Sequence, residues 1–276
     1  MTRHMMCATR PASPATDPPQ IQMIKSMVAS ALIAGCAVGL LAALLHFAFV
    51  QDYILLGEEF ESGARVHFEN AAPATPEGAG HAHATPDAAA APHDHGSAAA
   101  HDHGSEAEPG AVQRNALTVL FAVLIYTAYA LLLAAGFGLA ESFGATITAR
   151  DGLLWGIGGF VTFQLAPAMG LAPELPGTIA AELGARQLWW WLTVGCTGSG
   201  LALLAYGRHW ALFGLAGALL ALPHVIGAPH PDQFWGVAPP EVAGAFSARV
   251  LGTALVVWAL LGWVAATVWH REIRST

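Results

Sequence analysis

Three His-x-His pairs stand in one alanine-rich, acidic stretch: His81 and His83, His93 and His95, His101 and His103. The last two pairs belong to a repeated HDHG, with Asp94 and Asp102 between the imidazoles. Neutral imidazole is a good ligand for Co2+, Ni2+, Cu2+ and Zn2+. Two of them at i and i+2 on a flexible chain chelate one ion, and neighbouring carboxylates raise the local cation concentration. Such a segment collects several ions weakly and releases them as pH falls toward about 6.5. Seven of the thirteen histidines lie between Gln51 and Gln113, which favours metal capture over an alanine linker that drifted into histidine.

A second group of chemistry-bearing residues sits in apolar surroundings. "QLAPAMGLAPELPG" (Gln164–Gly177) and "LPHVIGAPHP" (Leu222–Pro231) are proline-interrupted ends of apolar runs, and they hold Glu174 and His230 in matching places. His224 is the only histidine or charged side chain in the last four apolar runs, and His46 holds a similar depth in the first. Ionisable groups inside a membrane are costly and are functional candidates by default. Glu58, Glu59 and Glu61 follow the first run and could add oxygen ligands. The bland readings stay open: prolines that only end helices, a histidine capping a carbonyl, and a solvated helix end.

The elements that must position these groups are membrane spans. The chain is 55% hydrophobic and 11% charged, against about a quarter charged in soluble proteins. Six charge-free runs, Met27–Val50, Asn115–Ala140, Gly152–Pro173, Gln187–Gly207, Trp210–Pro229 and Val250–Trp269, match the roughly 20 helical residues needed to cross about 30 Å of hydrocarbon. The expected fold is an all-α integral membrane protein, a six-helix transmembrane bundle. The first run is too long for a signal peptide's apolar core, and no convincing A-x-A site follows it. With the N-terminus inside, seven basic residues fall inside and four outside. The positive-inside rule then puts both termini in the cytoplasm and 51–113 outside.

Composition divides the chain further. Residues 1–22 read as a disordered, proline-rich extension, with Met23 a candidate start. Residues 23–50 form the first span, 51–113 the outer loop, and 114–272 spans two to six. In the loop, "DYILLGEEFESGARVHFE" has enough apolar content to be ordered, and disorder is expected from about residue 70. "WGIGG" against "FGLAG", and "GAR" against "SAR", suggest a weak parallel hairpin repeat in which spans three and four recur as five and six. Gly35 and Gly39, Gly152 and Gly156, and Gly214 and Gly217 offer close helix contact. Trp189, Trp190 and Trp191 look like an interfacial belt. The three cysteines show no paired spacing, so neither a disulfide framework nor a zinc knuckle is expected. No P-loop, H-E-x-x-H or G-x-S-x-G occurs, so the chain is expected to be neither an ATPase nor another enzyme. No cofactor and no nucleic-acid partner are expected, only lipid, a possible second copy of the chain and a metal as substrate.

"MIKSMVASALIAGCAVGLLAALLHF", "EEFESG", "GLLWGIGGFVTFQLAPAMGLAPELPG", "RQLWWW" and "ALPHVIGAPHP" together resemble CbtA, a family of probable cobalt transporter subunits. The resemblance covers residues 23–272, and P-E-L-P-G and P-H-x-x-G-A-P-H-P are its specific parts. It implies a bacterial inner-membrane protein of five or six spans, linked with cobalt uptake for cobalamin synthesis. It also implies a small one-span, histidine-bearing partner, CbtB. The expected function is therefore divalent metal import, Co2+ first and Ni2+ second, with the loop as collector and Glu174, His224, His230 and the three glutamates as the mouth. Metal efflux, and a membrane-anchored metal-binding subunit that does not transport alone, are the alternatives.

Overall fold

The computed structural model describes residues 19–67 and 110–275. The paired histidines, the segment around them and most of the N-terminal extension lie outside these residues. The helices are α1 (Pro19–Phe49), α2 (Gln51–Glu61), α3 (Ala111–Ser142), α4 (Ala149–Phe160), α5 (Ala166–Ala168), α6 (Leu183–Tyr206), α7 (Trp210–Ile226) and α8 (Pro240–Ser275), with a π turn, Val161–Leu165, between α4 and α5. Among the described residues there is no strand, only an isolated antiparallel bridge between Thr178 and Gly236. Four helical segments are long and apolar enough to cross a membrane: Met27–Phe49, Ala111–Ser142, Leu183–Tyr206 and Pro240–Arg271. α7 has 17 residues, about 25 Å at 1.5 Å per residue. α4, the π turn and α5 run without interruption and together match a fifth apolar run.

Several boundaries differ from the apolar runs for local reasons. α1 begins at Pro19, so residues 19–22 extend the helix; proline suits a first turn, where its missing N–H is not needed. α8 begins at Pro240, ten residues ahead of the last apolar run. The amphipathic stretch after the first run is ordered, as its apolar content suggested, and forms α2.

Small residues decide which helices touch. α1 packs on α3 and α8, α4 on α8, and α6 on α7. A side chain at Gly35 or Gly39 would strike the α3 backbone at Thr127 or Val123. A side chain at Gly152 or Gly156 would meet Gly262, Ala266 and the Trp258 carbonyl of α8, and one at Gly262 would meet α4's backbone. Backbones this close replace the hydrophobic drive that lipid does not supply. Gly214 and Gly217 meet nothing within 4 Å, so that expected contact does not form, and Gly200 on α6 faces Ala216 and Leu220 instead. The buried core where α1, α3, α4 and α8 meet includes Ala34, Ala134, Phe137, Val257, Trp258 and Leu261.

A smaller cluster caps the end that carries α2. Val50, Leu175 and Phe246 are buried together, and Ser247 donates to the Pro173 carbonyl at 2.7 Å. The two proline-rich connections meet there. Ile179 N–H donates to the Trp235 carbonyl at 3.0 Å, and Val237 N–H to that of Gly177 at 3.4 Å. The opposite end, the turn end, carries the short connection between α6 and α7.

The π turn has a sequence cause. Pro167 has no N–H, and its ring clashes with the carbonyl four residues back. The helix widens, and Ala166 N–H donates to the Val161 carbonyl five residues back. Proline is a recognised origin of such local distortion, and π turns concentrate at functional sites.

The glycine seam generates a stability prediction. Gly262→Leu forces α4 and α8 apart and should cost at least about 1–3 kcal/mol. Gly252, on the same helix with nothing within 4 Å, should accept Ala with a gain of up to about 1 kcal/mol. Thermal melting in detergent, with membrane abundance, reads both.

Candidate functional site

The expected ligands at the α2 end are spread out and matched with arginines. Glu58 pairs with Arg114 at 3.4 Å, Glu59 with Arg65 at 3.0 Å and Glu174 with Arg186 at 2.9 Å. Arg249, the remaining basic residue of this end, lies 4.6 Å over the Tyr53 ring. Glu61 packs its stem beside Gly177. His230 is exposed, with Nδ1 3.2 Å from the Pro231 carbonyl and its ring beside Phe234. His224 is half-buried and meets Trp189 edge-on at 6.2 Å. Among the described residues no three His, Cys, Asp or Glu side chains converge on a common point, so Glu174, His224 and His230 are not gathered into one metal cage. The pairs are partly exposed and worth about 0–1 kcal/mol each, so an arriving cation could open them at little cost.

The three tryptophans do not act alike. Consecutive helix positions point about 100° apart, so they cannot share a face. Trp189 is buried and donates through Nε1 to the Pro223 carbonyl at 3.1 Å. Trp190 packs on Phe163, and only Trp191 is largely exposed.

Three cavities meet the π turn. The first, about 600 Å3, lies between α1, α3, the π turn and α8 near the α2 end; its polar lining is His46, Arg114, Thr118, Tyr126, Gln164 and Thr253. The second, about 900 Å3, lies between α3, α4 and α6 and reaches the turn end at Thr146 and Asp151; its lining includes Tyr129, Thr162, Phe163, Ser199 and Trp258. The third, about 510 Å3, runs from Phe163 and Gln164 to Glu174 and Arg186 under Trp190 and Trp191. His46, expected as an intramembrane group, thus faces a cavity in company with an amide, a phenol and hydroxyls. These are neutral nitrogen and oxygen donors of the kind that first-row divalent cations accept.

Tyr126, Tyr129, Phe163, Gln164 and Trp258 were not singled out by sequence. A signal was present: Gln164 lies three residues before Pro167, inside a run otherwise free of amides and charges, and Tyr126 and Tyr129 are polar side chains one turn apart in a span.

At the turn end Asp151 closes a capping box. Thr148 Oγ1 accepts from Asp151 N–H, and Asp151 accepts from Thr148 N–H and Oγ1–H at 3.0 and 2.6 Å. The Thr148 hydroxyl, then its N–H, hold the Asp151 carboxyl below its ordinary 3.8. Glu182 caps α6 in a similar way, and the Gly184 and Ala185 N–H groups lower its pKa.

These features define a multi-pass helical membrane protein with polar-lined cavities reaching toward both ends. The family comparison is specific. The model for CbtA, probable cobalt transporter subunit, matches residues 24–270, and the chain belongs to that family. No curated protein and no solved structure matches it.

The capping box gives a pH-dependent prediction. A depressed carboxyl contributes stability above its unfolded pKa and loses it as pH falls through the folded value. Thr148→Ala should cost about 0.5–2 kcal/mol near neutrality. The melting difference between wild type and Asp151→Asn should shrink once pH drops below about 4. Melting curves from pH 3 to 7 measure it.

Proposed function

We propose that the chain is the metal-conducting subunit of a divalent transition-metal importer in a bacterial inner membrane, with Co2+ as first cargo, Ni2+ as second, and cobalamin synthesis as the consumer. The observation that carries this reading is the attachment of the histidine-bearing segment. It links α2 to α3. Those helices are joined beside its ends by Gln51 Nε2 donating to Asn115 Oδ1 at 3.4 Å and by the Glu58–Arg114 pair. Arg114 itself lines the first cavity. Metal held by His81, His83, His93, His95, His101 and His103 is therefore delivered to a polar-lined entrance.

In this reading six spans cross the membrane, α4–α5 and α7 joining the four long helices. Both termini face the cytoplasm, and the loop lies outside, on the α2 side. The parallel repeat relates α4 to α7 and α6 to α8, an exchange consistent with α4 pairing with α8 and α6 with α7. Glu174, His224, His230 and glutamates 58, 59 and 61 form a dispersed mouth rather than one cage. An inward dication gains about 4.6 kcal/mol per 100 mV at about 2.3 per charge, so ATP is not required. Membership in a family of transporter subunits supports a partner, and a small one-span, histidine-bearing protein of the CbtB kind fits the role.

Radioactive cobalt uptake by cells with and without the gene, and flux into proteoliposomes holding the purified chain alone, test the reading. Import raises cell cobalt, and lower cobalt on expression identifies an exporter instead. Uptake in cells without flux in liposomes identifies a metal-binding subunit that depends on its partner.

Replacing the six paired histidines by alanine should raise the external cobalt needed for half-maximal uptake several-fold and leave the maximal rate nearly unchanged, because a chelator outside the path alters capture and not passage. Loss of uptake at saturating cobalt would place the segment in the path itself.

At the mouth, Glu174→Gln, His230→Ala and His224→Ala should each slow uptake even at high cobalt, with normal membrane abundance. Glu174→Gln combined with His224→Ala should fall short of additive. Wild-type flux in all three single variants would reduce the two connections to turns.

A further inference from the structure

Neighbouring residues of three elements line the first and second cavities, so these elements form a wall between them. Three elements each place near neighbours on opposite sides of it. On α3, Tyr126 lines the first cavity and Tyr129, one turn on, the second; in the π turn, Gln164 lines the first and Phe163 the second; on α8, Val257 lines the first and Trp258 the second. The wall is aromatic. Phe163 stacks on Trp258 with centroids 5.6 Å apart and planes 6° from parallel. The Tyr129 ring is 4.5 Å from Trp258 and 5.3 Å from Phe163. Trp258 is buried, and it rides over Gly159, where a Cβ would strike its ring.

Two further observations separate this wall from ordinary packing. Trp258 Nε1 is buried with no hydrogen-bond partner among the described residues, although the residue lines the second cavity. An orphaned donor in a membrane interior costs several kcal/mol unless something polar reaches it. The second cavity has polar groups of its own, Thr162, Ser199 and Asp151, which carry it to the turn end. The wall also stands on the π turn. One extra residue in a turn rotates the residues after it by about 100°, so moving or relieving the π turn takes Phe163 off Trp258 without breaking the helix.

We propose that Tyr129, Phe163 and Trp258 form the closed constriction of a transmembrane path, with the Gln164 cavity on one side and the Ser199 cavity on the other, and that a divalent cation crosses when Phe163 swings away. The cargo in this statement rests on the import reading; the constriction does not. The constriction lies deeper than the mouth at Glu174, and the third cavity, lined by both Glu174 and Gln164, leads from one to the other. The path enters beside His46 and Gln164, crosses at the aromatic wall and leaves past Asp151.

The test is sided labelling of the full chain. In a background with Cys7, Cys36 and Cys196 replaced, Gln164→Cys and Ser199→Cys are made separately. A membrane-impermeant cationic methanethiosulfonate is applied to intact cells and to inside-out vesicles. The two cysteines should react from opposite faces. With Trp258→Ala added, Ser199→Cys should react from both faces, at least tenfold faster from the face that was closed. Labelling of both cysteines from one face, or from either face with the wall intact, overturns the constriction. So does one-sided labelling that persists in Trp258→Ala. If Trp258→Ala does not accumulate in the membrane, Phe163→Ala serves as the opening variant, and the sidedness of the two single cysteines already decides the main claim. Cobalt uptake is measured in parallel on the cysteine-free chain. Absence of uptake with sidedness intact overturns the cargo and leaves the constriction standing.

Discussion

Inside hydrocarbon a helix must satisfy its own backbone, and Pro167 withdraws one donor from a helix that has no water to replace it. Most of the interior geometry comes from that. The ring cannot sit beside the Phe163 carbonyl, so the turn widens through Val161–Leu165. Widening fixes the directions of Phe163 and Gln164, which share the third cavity and otherwise line different ones, Gln164 the first and Phe163 the second. Phe163 has a ring to stack on only because α8 comes close enough to place Trp258 there. That approach depends in turn on three missing side chains, at Gly152, Gly156 and Gly262. An absent N–H and an absent Cβ, in neighbouring helices, together build the aromatic wall.

Charge at the α2 end obeys a different logic. The chain carries a net charge of −8, yet at the α2 end Glu58, Glu59 and Glu174 are each paired with an arginine. Much of the acid that is not matched in this way lies in the segment with the paired histidines. A conducting site must attract an ion enough to admit it and hold it loosely enough to release it. On the import reading, collection by the paired histidines and passage beside a balanced mouth divide these demands. A deep carboxylate cage at the mouth would satisfy the first demand and obstruct the second.

The helical class, the four long spans and the family were legible because they rest on features that composition and motif record: uninterrupted apolar length, glycines at helix spacing, and P-E-L-P-G with P-H-x-x-G-A-P-H-P. The seams at Gly35 with Gly39 and at Gly152 with Gly156 were readable for the same reason. Partners were not. Spacing says that a face is small but not which helix meets it, so Gly262 was missed and Gly214 was credited with a contact it does not make. The tryptophan triplet looked like a belt because composition does not register the 100° between neighbours. The ion pairing of the glutamates was not legible, because an arginine distant in sequence, such as Arg114 for Glu58, becomes a neighbour only after folding. Pro167 was read as part of a proline-rich interruption, with a plain helix end left open; its effect on the turn before it needed the trace of the backbone.

The energies set the role of the wall. Moving a bare monovalent ion from water into a dry interior costs on the order of 20 kcal/mol, and a dication costs more. A potential of 100 mV returns about 4.6 kcal/mol to a dication, and a ring face offers a cation about 2 kcal/mol when desolvated. Neither carries an ion through stacked Phe163 and Trp258. Passage therefore requires that the rings part and that water or protein oxygens follow the ion into the gap, with the Gln164 amide on one side and the Thr162 and Ser199 hydroxyls on the other. A constriction of this kind discriminates weakly among divalent cations of similar size, since it strips little of their hydration. On the import reading, selection then falls to groups that meet the metal before or after the wall.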